Sequence, residues 1–256
     1  MDNTVGNMTD RVALVSGASS GIGAAIARAF VDAGARVHGV ARREETMIEA
    51  VGRDSFVPHA LDVADADAVS ALATQLATED PVDTLVCAAG TNIPDRRFHQ
   101  LTNESFDELL RVNLSGVFYL MKSTLDQVRE RAGDMVLISS VSAAWPDHSG
   151  LAYQATKAGL LGLARGAGWD EHASGVRVST ILPGIVNTPI LDRRPEPPPE
   201  RLRGWCLQPE DVASACLCAV TLPARANIAE MTIVPTRLQS LGNTQQATPP
   251  LPEALN

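Results

Sequence analysis

The stretch Val12-Ala13-Leu14-Val15-Ser16-Gly17-Ala18-Ser19-Ser20-Gly21-Ile22-Gly23 decides the fold. It opens with a short apolar, valine-rich run of the kind that forms one buried strand. An alanine-rich amphipathic pattern then starts at Gly21 and continues to residue 33, where Gly34 ends it. Between the two, Gly17 permits the tight turn, Gly21 lets backbone approach a ligand and Gly23 lets the helix pack closely on the strand. A helix starting directly on such a turn presents unpaired N–H groups and the positive end of its dipole, a combination suited to a pyrophosphate. A glycine/serine loop with no ligand is the alternative, and placement between a strand and a helix argues against it.

The same alternation extends along the chain. Strands are expected over 12–16, 37–40, 56–60, 82–88, 135–139, 177–182 and 231–234. Helices are expected over 21–33, over 65–78 with an acidic first turn, from Asn103 and Ser105 toward Arg111, and over 113–131, 152–173 and 209–221. Pro209 stands at the first turn of the last one. Strand–helix alternation of this kind implies βαβ crossovers. The fold class is therefore α/β: a Rossmann-like doubly wound parallel sheet of about seven strands with helices on both faces. No composition break divides it, so a single domain over 11–236 is expected between an N-terminal tail, 1–10, and a C-terminal tail, 237–256. The segment 193–200, with Pro195, Pro197, Pro198 and Pro199, reads as extended and solvated.

Composition narrows the function. The 256 residues are 45% hydrophobic but only 4% aromatic, a bias toward tightly packed parallel strands and helices. The net charge of -9, without a long Lys/Arg cluster, disfavours nucleic acid as a partner. No apolar run approaches the ~18 residues of a membrane span, and residues 1–10 lack a signal-peptide pattern. A soluble cytoplasmic protein is expected, without membrane partners. Cys87, Cys206, Cys216 and Cys218 have no metal-ligand or redox spacing and read as small buried hydrophobes, so no metal is expected.

The end of the second strand bears on cofactor choice. An acidic residue about 20 positions beyond the glycines would bind a ribose 2′-hydroxyl and exclude a 2′-phosphate. Ala41 stands there, followed by Arg42 and Arg43, whose forked donors suit a phosphate. This favours NADP(H) over NAD(H). Glu44 and Glu45 follow directly, and local pairing with them is the competing reading of the two arginines.

Further along, Tyr153 and Lys157 are four apart in a helical pattern, hence on one face. A free phenol has a pKa of about 10, and a nearby ammonium would lower it toward the range that proton transfer to an alcohol oxygen needs.

With the glycine turn, Ser140 and the Tyr153/Lys157 pair in view, the chain resembles the short-chain dehydrogenase/reductase family in its compact single-domain form, from Arg11 to about Thr236. The resemblance assigns the catalytic places to Asn113, Ser140, Tyr153 and Lys157. It assigns cofactor contacts to Gly17, Ser19, Ser20, Gly21, Ile22 and Gly23, to Arg42 and Arg43, to the adenine-contacting pair Asp62 and Val63, and to Cys87, Ala88, Ala89 and Gly90. Ile138, Tyr153, Lys157 and the turn bearing Pro183, Gly184, Val186 and Thr188 complete that set. Cys87 departs from the pattern. The family usually has Asn there, tying neighbouring strands, and a thiol bonds more weakly, so some local loosening is expected.

The implied activity is interconversion of a ketone or aldehyde and its alcohol by hydride transfer. Tyr153 would exchange the proton, Ser140 would hydrogen-bond the carbonyl oxygen, Lys157 would lower the Tyr153 pKa, and Asn113 would position a water. For the small-molecule substrate, Ser140, Trp145, His148 and Ile190 are candidate contacts, Thr91, Asn92 and Ile93 could form another wall, and Ile190, Leu191 and the proline-rich stretch suggest a short lid. The resemblance also implies a homo-tetramer or homo-dimer formed through the helices at 113–131 and 152–173. The alternatives are a nucleotide-binding sensor or scaffold without turnover and a lyase such as the halohydrin dehalogenases. The full set Asn113, Ser140, Tyr153 and Lys157 argues against the first, and the intact glycine turn and Lys157 argue against the second.

Overall fold

Alternate residues of the central strands go to opposite sides. Ala13, Val15, Val86, Val136, Ile138 and Ile181 join one apolar cluster, while Leu14, Leu85, Cys87, Met135, Leu137 and Val178 join another. That two-residue period, apolar on both sides, is what a parallel sheet covered on both faces requires. The computed structural model describes residues 6–238. In it β1 (Val12–Ser16), β2 (Arg36–Ala41), β3 (Phe56–Ala60), β4 (Thr84–Cys87), β5 (Asp134–Ile138), β6 (Arg177–Pro183) and β7 (Glu230–Ile233) lie in the order β3-β2-β1-β4-β5-β6-β7. Every pairing is parallel. The expected doubly wound seven-stranded sheet is borne out.

The helices are α1 (Gly21–Asp32), α2 (Glu44–Val51), α3 (Ala66–Glu79), α4 (Asn103–Leu110), α5 (Gly116–Glu130), α6 (Leu151–Glu171), α7 (Glu200–Arg203) and α8 (Pro209–Val220). Ile26 and Phe30 of α1, Met47 of α2 and Val212, Cys216 and Val220 of α8 cover the first face. Leu72 and Leu76 of α3, Val117, Leu120 and Val128 of α5, and Leu160 and Ala164 of α6 cover the second. Strand order reverses between β1 and β4, so the loops leaving their carboxyl ends part there and open a crevice.

Several local readings change. α2 goes unread in the sequence because it is only eight residues long and buries Met47 alone, too little for a periodic signal. The expected helix over 113–131 is α5 entered through a π-helical turn, Arg111–Ser115, which continues directly from α4. Residues 6–10 are packed on the domain: Met8 is fully buried and its amide donates to the Ala33 carbonyl at 2.9 Å. The proline-rich segment is only partly solvated, because Pro198 is buried and Leu191 and Leu202 flank it in a small cluster with Ile185, Cys206 and Leu238. The C-terminal tail beyond residue 238 lies outside the described residues.

At the opposite end of the sheet from the crevice, Arg11 bonds Asp83 (2.8 Å) and Asp134 (2.7 Å), and Arg177 bonds Asp134 (2.8 Å). These ties join the starts of β1, β4, β5 and β6.

Candidate active site

The crevice begins at the glycine turn. Gly17 has φ of +74°, and a Cβ there would lie 2.9 Å from the Ala89 amide nitrogen. A Cβ on Gly23 would lie 2.3 Å from the Gly17 carbonyl oxygen. Neither position tolerates a side chain without backbone movement. Ser20 precedes α1 in extended conformation and its side chain makes no capping bond, so the first-turn N–H groups keep their donors directed outward. A cradle of this shape and donor set fits a dinucleotide phosphate.

Ser16 ties this turn to β4. Its hydroxyl accepts from the amides of Ala88 and Ala89, both at 3.1 Å. Cys87 is only 1% exposed, in register with Ser16 and Leu137, and burial pushes its thiol pKa up to about 12. The thiol is thus part of the core, and a tie between the neighbouring strands is supplied by Ser16.

The Gly17 amide donates to the Val40 carbonyl at 2.8 Å, which sets the end of β2 beside the turn. Arg42 and Arg43 follow, both exposed. Neither forms an ion pair with Glu44 or Glu45 among the described residues; those carboxylates sit in the first turn of α2, where the helix dipole favours them. Asp62 turns its carboxylate onto its own loop, accepting from the Ala64 amide at 3.0 Å, and Val63 is buried.

The four candidate catalytic residues converge. Asn113 is fully buried in the π-helical turn, where its side chain accepts from the Thr91 amide (2.8 Å) and donates to the Thr91 carbonyl (2.9 Å) and to Thr156 Oγ1 (3.2 Å). Gly90 leaves open the space between Asn113 and Lys157: a Cβ there would stand 3.5 Å from both Asn113 Oδ1 and Lys157 Nζ. Lys157 Nζ donates to the Ile138 carbonyl at 2.8 Å, and Ser139 Oγ donates to the Lys157 carbonyl at 2.8 Å, fastening α6 to the end of β5. Ser140 stands near enough to the Tyr153 phenol to favour its ionised form.

Ser140 is itself held by a network that sequence reasoning missed. Its Oγ donates to Ser142 Oγ at 3.0 Å, and Ser142 Oγ donates to Asp147 at 2.6 Å. Asp147 also accepts from the Ser149 amide at 2.8 Å. The loop between Ser140 and Tyr153 is therefore cinched around one carboxylate.

Burial dominates the titration of the pair. It pushes the Tyr153 phenol up to about 12, with the Asp147 charge adding to the rise and the nearby Ser140 hydroxyl, Arg194 and Arg96 opposing it. Burial likewise draws the Lys157 ammonium down to about 8. The expectation that Lys157 lowers the Tyr153 pKa is not met in this arrangement. The ammonium lies 5.7 Å from the phenol ring centroid and is bonded to a carbonyl, so desolvation of the phenol is the larger effect.

One cavity gathers Ile22, Ala88, Gly90, Ile138, Tyr153, Lys157, Pro183, Gly184, Val186 and Thr188 from the expected cofactor set, with Ser140 and Ile190 from the expected substrate set. Leu191 and Asn92 also line it. Thr188 crosses the glycine turn, its side chain 3.1 Å from where a Gly21 Cβ would be. Trp145 and His148 do not line this cavity. Trp145 is 38% exposed and His148 lies exposed beside Arg97, 3.1 Å from its Nη2, because the Asp147 contacts turn the intervening loop outward. In their place stand Arg96, Ser149 and Arg194. Nothing in the sequence separates Arg96 from Arg97 or Arg194 from Arg193. Among the described residues no group of three His, Cys, Asp or Glu could hold a metal, and no helix is long and apolar enough to cross a membrane.

Comparison with known proteins agrees with this geometry. Residues 11–198 match the family model for short chain dehydrogenase. An uncharacterized oxidoreductase of Staphylococcus aureus (strain USA300) is 32% identical over 235 residues, covering 89% of this chain and 98% of the relative. Among solved structures, the closed form of a serine dehydrogenase complexed with NADP+ is 30% identical with a TM-score of 0.80, covering 88% of this chain and 94% of that one. An alcohol dehydrogenase from the archaeon Thermococcus sibiricus, complexed with 5-hydroxy-NADP, is 28% identical with a TM-score of 0.76, covering 88% and 97%.

Proposed function

The chain belongs to the short-chain dehydrogenase family, and we propose that it is an NADP(H)-dependent oxidoreductase that interconverts a carbonyl compound and its alcohol. The observation that carries this reading is the convergence of Ser140, Tyr153 and Lys157 on one cavity whose other wall is the Pro183–Val186 turn and whose floor leads to the glycine cradle.

A nicotinamide dinucleotide held in the cradle supplies or accepts the hydride. The chain's own residues do the rest. Tyr153 gives its proton to the carbonyl oxygen in reduction and removes it in oxidation. Ser140, whose hydroxyl proton rests on Ser142 Oγ in this structure, turns that proton to the oxygen as charge develops, while Ser142 and Asp147 hold its place. Lys157 holds positive charge beside the phenol, and Asn113, across Gly90 from Lys157, orders the route by which the proton is replaced. Arg42, unpaired with Glu44 and Glu45, supports the preference for a 2′-phosphate. Phe118 on α5 and Trp169 on α6 are 49% and 77% exposed, which supports the expected homo-oligomer through those helices.

The test is reduced-nicotinamide absorbance of the purified protein with ketones and aldehydes, NADPH and NADH run in parallel. Turnover with NADPH preferred is expected. NADPH binding without turnover on any carbonyl would instead favour the sensor reading.

A further inference from the structure

Two arginines, Arg96 and Arg194, line the same cavity as the candidate proton donor, and their charges act on its phenol. Arg96 is only 5% exposed although it lies in the loop between β4 and α4. Its Nη2 donates to the Arg193 carbonyl at 2.8 Å, which docks the segment bearing Arg194 onto that loop. Its Nε, by contrast, is buried with no hydrogen-bond partner. A guanidinium N–H left unpaired in a dry site costs more than an exposed one. Arg194 shares the same wall, and its charge raises the cost of keeping Arg96 ionised.

The local charge is the reverse of the chain's. Arg96, Arg194 and Lys157 line one cavity in a protein of net charge -9. Asp147 is the nearby counter-charge, and its two carboxylate oxygens are already engaged by Ser142 and the Ser149 amide. Asn92, which also lines the wall, donates its amide to the Ser149 carbonyl at 3.0 Å and so fixes the wall's shape. No Asp or Glu is among the described residues that line the cavity, so an anion with planar oxygens entering it meets a guanidinium edge.

We propose that Arg96, assisted by Arg194, binds a carboxylate of the substrate, so that the compound turned over at Tyr153 is a short hydroxy acid and its keto acid. This rests on the oxidoreductase reading for the chemistry, whereas the carboxylate subsite stands on the cations that line a cavity wall without an acidic residue. A carboxylate there meets the Arg96 guanidinium at the cavity wall, offsets the repulsion between the two arginines and anchors the substrate with its alcohol carbon toward Ser140 and Tyr153.

The experiment has a kinetic and a binding arm. Full-length protein is assayed with NADP+ and 3-hydroxybutyrate or lactate, each against its methyl ester. The acid is expected to exceed its ester at least tenfold in kcat/KM, mostly through KM. Arg96→Gln should cut the acid-over-ester ratio in kcat/KM at least tenfold, with folding of the variant read separately by circular dichroism; Arg194→Gln should show the same pattern more weakly. Equal use of acid and ester, or an acid preference that survives Arg96→Gln, overturns the subsite. Preference for dihydroxyacetone phosphate with NADPH over the keto acids overturns the carboxylate assignment. Binding of propionate against propionamide is followed by NMR, with and without NADP+. Propionate alone should bind, and Arg96→Gln should abolish it. Equal binding of the two overturns the subsite, whether or not any substrate is turned over. Selective propionate binding without turnover on any compound would leave the subsite standing and overturn the oxidoreductase reading.

Discussion

Lys157 stands 5.7 Å from the ring centroid of Tyr153, yet its ammonium is bonded to the Ile138 carbonyl at 2.8 Å, not to the phenol. The helix brings the two side chains to one face as their four-residue spacing requires. The β5 carbonyl then fixes how close the charge can come. The pair is preorganised in position and held at an energetic cost, since both groups are buried.

That cost predicts a stability gain on removing the charge. Lys157 titrates near 8 in the fold against about 10.4 in the unfolded chain. The unfolded chain therefore binds more protons between those values. Stability from this group is present above about pH 10.4 and lost as pH falls toward 8. The depression corresponds to roughly 3 kcal/mol at neutral pH. Lys157→Met should accordingly unfold at a higher denaturant midpoint than wild type at pH 7, while losing turnover. An unchanged or lower midpoint would show that the Ile138 bond outweighs desolvation.

Cofactor selection predicts an asymmetric effect at the end of β2. Loss of charge-assisted bonds to a phosphate costs about 1.5–3 kcal/mol. Arg42→Ala should raise the KM for NADPH by about 10- to 100-fold and leave that for NADH nearly unchanged. Parallel losses with both cofactors would move the 2′-phosphate contact elsewhere.

A histidine pair predicts acid sensitivity away from the site. His38 Nδ1 and His59 Nε2 are 2.9 Å apart, and His38 Nε2 is 2.9 Å from Asp80. Burial lowers the pKa of both, His59 to about 4 with the His38 charge adding to the shift. The unfolded chain thus takes up more protons between about pH 6.5 and 4. Stability from the pair is full above that window and falls as pH drops through it. Chemical unfolding at pH 7 and pH 5 should show the loss, and His59→Gln should flatten it. An equal slope in the variant would place the acid sensitivity elsewhere.

Much of this was legible in the sequence because the signals were local. Val12–Ser16 followed by a glycine turn fixes β1 and α1, and the Tyr153/Lys157 spacing fixes one face of α6. What was not legible depends on contacts distant in the chain. Arg96 becomes a cavity residue through the Arg193 carbonyl, 97 positions away, and Trp145 is turned out by a loop that folds around Asp147. The replacement of the usual Asn by Cys87 suggested loosening because the hydroxyl that ties the strands, Ser16, lies 71 positions upstream yet directly opposite in register. α2 was missed because one buried methionine makes no pattern.

The far end of the sheet predicts a purely structural loss. Asp134 is 3% exposed between Arg11 and Arg177. Removing its carboxylate leaves two guanidiniums without their shared partner. Asp134→Ala should lower unfolding free energy by about 3–5 kcal/mol, measured by denaturant titration, without altering KM for NADPH in the folded fraction. A loss under about 1 kcal/mol would mean that solvent screens this network like a surface pair.

The central claim is that Tyr153 exchanges the proton during hydride transfer. The most direct measurement compares initial rates of NADPH oxidation by wild type and Tyr153→Phe on the best carbonyl substrate, together with NADPH binding to each. The account predicts that the variant binds NADPH within about threefold of wild type but turns over at least 1,000-fold more slowly, about 4 kcal/mol of transition-state stabilisation. A variant that keeps wild-type turnover would contradict it.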